Sequence, residues 1–385
     1  MINTAFDDLR PYIQEEIAPA MQRIAASEYF PMMSQFIFPE KDVEEVRNTV
    51  RQIKTAEEFQ DKIMYKLHKV IIKQSISSFA FEGLDYLEQD KNYLYISNHR
   101  DIMLDSSLFL SILFTNVFRT PEISFGENLM SSQLIIDIGK SNKMFKVVRG
   151  GNMRDFYRKS LQLSEYIRHT IQEKKESVWI AQRSGRTKDG NDMTDQGIIK
   201  MFCMSDSTDL IRSANELNMV PVVLSYQIES CDILKTRELY LSRNKTKYIK
   251  QKNEDVCSIL TGITQQKGHI HLSICEPIRR SELEAIEYNH PNDYYKSLAA
   301  LIDRRIHKNY KLHNNNYIAH DIRSGKDTYA AYYTPEDKAA FIERTEEMLH
   351  QVEGEKDILM AIFLGIYANP VENKKIISQP QNGLT

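Results

Sequence analysis

Between Tyr93 and Ile274, short β-branched or apolar runs alternate with segments of helical period, the runs lying at residues 93–96, 122–125, 145–148, 178–181, 219–226 and 269–274. Such alternation predicts an α/β domain. Before it, Phe59, Ile63, Leu67, Val70 and Ile71 recur at helical spacing among charged residues, and the first ninety residues read as a helical cap. After Leu312 the cluster at residues 313–317 marks a break and Pro335 a helix start. The expected organisation is a cap over 1–90, an α/β domain over 91–312 and a helical extension over 313–385.

Composition narrows the function. Fifty Lys and Arg against 53 Asp and Glu leave a net charge of −3, too balanced for a dedicated nucleic-acid binder, so no nucleic-acid partner is expected. The four cysteines, Cys203, Cys231, Cys257 and Cys275, form no C-x-x-C pair, and neither a zinc site nor a disulfide framework is expected. No secretory signal heads the sequence, which points to the cytoplasm. The longest apolar stretch, residues 107–118, is short of the ~20 residues of a spanning helix, leaving at most peripheral attachment to the inner membrane face.

The most informative segment is the strand-to-turn-to-helix passage from Tyr93 to Phe109. His99 falls in the turn after the strand, where open sheets place ligands, with Asp101 and Asp105 two and six positions on. An imidazole oriented by a carboxylate can take a proton from a hydroxyl. The alternative is a plain helix N-terminus capped by Asp101, with His99 merely in the turn.

The segment resembles the first block of the glycerolipid acyltransferase superfamily, the glycerol-3-phosphate and lysophosphatidate acyltransferases, in which a His is followed by four residues and an Asp. Here five residues separate His99 from Asp105, similar to a bacterial branch with His-Arg-Asp-Ile-x-Leu-Asp at this place. Three further blocks follow in the family's order. They are Gly126-Glu127-Asn128-Leu129 with Gly139 and Phe145 to Arg149, then Gln182 to Gly190 after an apolar strand, then residues 220–226 with Pro221 and Tyr226. The resemblance covers about residues 90 to 230. It implies an acyltransferase-type mixed sheet flanked by helices, no cofactor or metal, and a His99–Asp105 dyad. It also implies an acyl-carrier-protein or acyl-CoA donor and a glycerol 3-phosphate or 1-acylglycerol 3-phosphate acceptor, in phospholipid biosynthesis. Asn128, Arg149, Gln182, Arg183, Arg186 and Lys188 become candidate substrate contacts, with Asn128 and Arg149 alternatively mere loop-holding bonds.

Arg183, Arg186 and Lys188 place three cations in six positions of one loop, suited to a phosphate. Gln182 stands where the family has glutamate, which keeps two other readings open: an acyltransferase for an amino-acid-containing lipid, or a catalytically reduced protein that binds lipid or acyl-carrier protein. Helix geometry bears on the dyad. Residues two or six apart do not share a helical face, so His99 must lie outside the helix, which is expected to start near Asp101 with Asp101 as its cap and Asp105 free for the ring. Asp105→Asn is then expected to cost activity with little stability. Lys140 to Lys159 hold seven cations and one acid, a local charge of +6 interleaved with Phe145, Phe156 and Tyr157, suited to an anionic membrane surface, a substrate phosphate or an acidic carrier. The apolar helix over 108–118 reads either as buried against the sheet or as the wall of an acyl tunnel.

Overall fold

A computed structural model of the chain describes residues 4–148, 150, 152–244, 248–251 and 253–378. Its centre is a seven-stranded sheet in the order β1-β7-β6-β2-β5-β3-β4. The strands are β1 (Ser78–Glu82), β2 (Leu94–Ser97), β3 (Glu122–Gly126), β4 (Met144–Val147), β5 (Val178–Ala181), β6 (Met219–Tyr226) and β7 (His269–Ile274). All pairings are parallel except β6 with β7, so the sheet is mixed and flanked by helices. The six strands expected from the apolar runs are present.

β1 is a departure, because Ser78–Glu82 lies inside the stretch read as helical. It is an edge strand on β7 with four of its five residues exposed, and without a buried face it leaves no apolar alternation to read. Upstream of it the helical reading holds. Helices from Gln14 to Ser75 enclose their own core around Ile17, Met21, Phe30, Val50, Phe59 and Ile63.

Strand alternation divides the main core between the two faces of the sheet. Leu94, Ile96, Val178 and Ile180 pack beneath the helices Met153–Gln172 and Pro291–Asn309, while Tyr93, Tyr95, Trp179 and Ala181 face the helix Leu104–Thr115. That last helix is buried at every position from Leu104 to Leu113. It is a core element packed against the sheet, with Ser106 in its first turn also lining a cavity. At the other end, the helices Asn314–Ser324, Pro335–Leu349 and Lys356–Ser378 form a fourth cluster around Phe341, Phe363 and Tyr367.

The consequence for the site is geometric. Because β2 to β6 run parallel to one another, their carboxyl ends share one edge, and the segments after them converge there although they are up to 130 residues apart. Among the described residues no helix is long and apolar enough to cross a membrane.

Candidate active site

β2 delivers the turn, and the residue after it locks the turn in place. Asn98 is fully buried; its amide accepts from Leu224 N at 2.8 Å and donates to Leu224 O at 2.9 Å and Asp192 at 3.0 Å, splicing the end of β2 to β6. His99 follows with its Nδ1 3.0 Å from Asp105 Oδ2. The same carboxylate oxygen accepts from the backbone N–H groups of Arg100 at 2.6 Å and Asp101 at 2.9 Å, and Oδ1 accepts from the Tyr226 hydroxyl at 2.8 Å. Burial raises the Tyr226 phenol well above its usual range, and the Asp105 charge adds to this, so its hydroxyl stays a donor. Asp105 is completely buried, whereas the His99 side chain keeps 12% exposure. Its Nε2 has no hydrogen-bond partner among the described residues.

The helix starts later than expected, at Leu104, because Asp101 sits in a turn ahead of it and its Oδ1 accepts from both Met103 N and Leu104 N at 2.8 Å. Its other oxygen takes the Ser230 hydroxyl, and a side chain at Gly262 would run into that carboxylate. Asp101 therefore holds the turn from three sides and does not touch the imidazole.

Beneath the turn lies a buried ionic network that the sequence does not announce. The Arg100 guanidinium, 1% exposed, donates to Asp192 at 2.6 and 3.0 Å, to Glu229 at 3.1 Å and to Gly190 O at 3.2 Å. Lys235 donates to Arg100 O at 2.7 Å and to Glu229 at 2.5 Å. Burial alone would depress the guanidinium, but Asp192 and Glu229 hold it well above its usual value. The network reaches the C-terminal extension: Tyr367 accepts from Glu229 N at 3.1 Å and donates to Asp232 at 2.6 Å, and Arg344 pairs with Asp232 at 2.7 Å. Gly190 lets the loop after β5 press against the Ile366 carbonyl, and Asn369 donates to Asp189 O at 2.7 Å. The adjacency of Arg100 to His99 was the one available signal; its partners are 92 and 129 residues away.

The remaining candidates separate. A cavity of about 70 Å3 opens before His99, lined also by Ser106, Asn128, Trp179, Arg186 and Asp255. Arg186 is nearly buried there; Nη2 donates to Ser258 at 3.1 Å, while Nη1 has no partner among the described residues. Asn128 donates to Asp255 at 3.0 Å. Burial works to raise the Asp255 carboxyl, but bonds from Lys250 and Asn128 and the Arg186 charge hold it below the usual carboxylate range. Arg183 instead lines an adjoining apolar groove of about 460 Å3.

Two residues of the loop lie away from the cavity. Lys188 lines neither space because it is ion-paired with Glu238. Gln182 is fully buried; its N–H extends the β2–β5 ladder to Ser97 O at 2.8 Å and its side chain meets Thr194, so it is not presented to a substrate in the cavity. Arg149 lies outside the described residues. The basic stretch is also not a single solvated patch. Lys143 pairs with Glu176 at 2.9 Å and Lys146 with Asp8 at 2.5 Å, both lysines only 12–14% exposed.

No family model matches the chain, and no curated protein matches it. Among solved structures it is similar to the 1-acyl-sn-glycerophosphate (LPA) acyltransferase PlsC from Thermotoga maritima, at 14% identity over 76% of this chain and 95% of that one, with a TM-score of 0.37.

Proposed function

We propose that the chain is an O-acyltransferase that moves a fatty acyl group from a thioester, acyl-carrier protein or acyl-CoA, to a hydroxyl of an anionic glycerolipid precursor, glycerol 3-phosphate or its monoacyl derivative. The observation that carries this reading is the His99–Asp105 contact at 3.0 Å, with the other imidazole nitrogen unpartnered among the described residues at a cavity that also holds Arg186. The ordered sequence blocks support it.

In this reading His99 Nε2 takes the proton of the acceptor hydroxyl as its oxygen attacks the thioester carbonyl. Asp105 fixes the tautomer through Nδ1 and stabilises the imidazolium. The tetrahedral intermediate collapses, the C–S bond breaks, and the imidazolium returns the proton to the leaving thiolate. No acyl-enzyme forms; Cys203, Cys231 and Cys275 are buried with their thiols pushed up by burial, and the exposed Cys257 lines neither the cavity nor the groove. Arg186 Nη1 holds the acceptor's anionic group.

A second acceptor has one observation in its favour. Asp255 lines the cavity beside Arg186 and Lys250 while Lys188 is withdrawn, so the lining holds one anion with two cations. That combination also suits the ammonium and carboxylate of an amino-acid-containing lyso-lipid.

The test is incubation of the purified chain with labelled acyl-carrier protein or acyl-CoA and, separately, glycerol 3-phosphate, lysophosphatidate and an amino-acid-containing lyso-lipid. Transfer to a glycerol phosphate supports the first reading, and transfer to the amino-acid lipid alone supports the second. Binding of donor without product from any acceptor supports the catalytically reduced binder and overturns both.

A further inference from the structure

Helices hide their apolar stripe when the protein supplies a partner for it. The helix Met153–Gln172 does so only along its second half, where Leu163, Tyr166, Ile167 and Ile171 are buried in the core. In its first two turns Met153, Phe156 and Tyr157 stand at i, i+3 and i+4, on one face, and are 88%, 51% and 61% exposed. Arg154 and Arg158 flank that face, both exposed, and Lys159 follows. The sole acid of these turns is Asp155, 3.5 Å from Arg158. Three cations against one acid give this segment a charge of +2 in a chain of −3.

The same three apolar side chains line the 460 Å3 groove, whose floor continues through Val147, Met201 and Met204. Ser124, Gly126 and Ala181 belong both to this groove and to the His99 cavity. A bare apolar ridge with cations at its sides therefore stands on a groove that shares three lining residues with the His99 cavity.

We propose that the first two turns of this helix are a docking face for an anionic lipid bilayer. Met153, Phe156 and Tyr157 enter the boundary between headgroups and acyl chains, Arg154, Arg158 and Lys159 meet lipid phosphates, and the groove opens onto the bilayer. A lipid surface is favoured over an acidic protein because Met153, Phe156 and Tyr157 continue into a groove lined mainly by apolar side chains, which suits a lipid acyl chain. The use of the groove as a passage for lipid rests on the acyl-transfer reading; the docking itself does not.

The experiment is co-flotation of the full chain with vesicles of phosphatidylglycerol and, separately, of phosphatidylcholine. Wild type is expected to float with the anionic vesicles at low salt and much less with the neutral ones. Met153→Ser/Phe156→Ser/Tyr157→Ser and Arg154→Glu/Arg158→Glu are each expected to lose on the order of tenfold or more of that partition. Met32→Ser, at a residue 66% exposed on the separate helix Phe30–Ile37, is expected to leave it unchanged. Circular dichroism checks that each variant is folded. Wild type that stays off anionic vesicles, folded variants that float undiminished, or an Arg154→Glu/Arg158→Glu protein that loses only its affinity for an acidic carrier protein would each overturn the proposal. Transfer from a water-soluble short-chain acyl thioester to each of the acceptors named above is read in parallel. Absence of turnover in wild type with flotation intact removes the acyl-transfer reading and leaves the docking face standing.

Discussion

Tyr226 Oη and His99 Nδ1 occupy opposite oxygens of one carboxylate, Oδ1 and Oδ2 of Asp105, at 2.8 and 3.0 Å. With the two backbone N–H groups that also reach Oδ2, Asp105 stands at the centre of four contacts, and the turn, β6 and the dyad helix meet on it.

Asp105→Asn replaces an oxygen with an N–H group where donors already point inward. The expected outcome is a kcat lowered by about 10²–10⁴-fold together with a stability loss of about 1–3 kcal/mol. The stability loss revises the expectation from helix geometry, in which Asp105 had no duty besides the ring. His99→Ala is expected to lose comparable activity with a smaller change in unfolding midpoint, since the imidazole is part-exposed. Urea unfolding and steady-state kinetics on both variants check the contrast; an Asp105→Asn protein of unchanged stability would contradict it.

Arg186 and Lys188 are expected to behave differently despite being two residues apart. Arg186→Ala removes a charge-assisted bond of about 1.5–3 kcal/mol and raises the acceptor KM by roughly tenfold to a hundredfold, with a smaller effect on kcat. Lys188→Ala leaves acceptor KM within about twofold, because its partner is Glu238 and it lines neither the cavity nor the groove. Equal effects in acceptor titrations would show that the loop rearranges on binding.

Tyr367→Phe tests whether the C-terminal helix supports the dyad from a distance. The substitution strips the acceptor from Glu229 N–H, and Glu229 holds both Arg100 and Lys235 under the turn. A lower Tm, about 1–3 kcal/mol in stability, and a fall in kcat at unchanged acceptor KM are expected. Unaltered kcat with lowered Tm would confine Tyr367 to a structural role.

His68 and His313 give the fold an acid limit. Burial pushes both imidazoles down from 6.5 to about 4, and for His313 the neighbouring His269, His271 and Lys311 add to this. A depressed folded pKa means the unfolded chain binds the proton more readily, so this contribution is complete above about pH 6.5 and is lost as pH falls towards 4. Each histidine contributes on the order of 3 kcal/mol at most to that loss. Urea midpoints measured from pH 7 to 4 should fall, and less steeply in His68→Leu, which cannot take up the proton. A His68→Leu profile parallel to wild type would place the acid sensitivity elsewhere.

The strands with a buried face and the turn that carries His99 were legible in the sequence because each is a local pattern: side-chain alternation over a few residues, and a polar turn between a strand and an apolar helix. The Asp105 partner was legible for the same reason, since one turn of chain suffices to bring it back to His99. Edge strand β1 was not, because exposed residues carry no periodic signal.

What the tertiary structure decided is everything set by groups far along the chain. Spacing within the loop after β5 treats Arg186 and Lys188 alike; Ser258, 72 residues away, holds one in the cavity, and Glu238, 50 residues away, draws the other out. Arg100 could be an exposed cation on any turn until Asp192 and Glu229 arrive from the ends of two other parallel strands to enclose it. Hydrophobic periodicity is written into neighbouring residues and can be read along one strand or helix. Charge pairing depends on which loops the sheet order places side by side, and that order is fixed only when the strands pack.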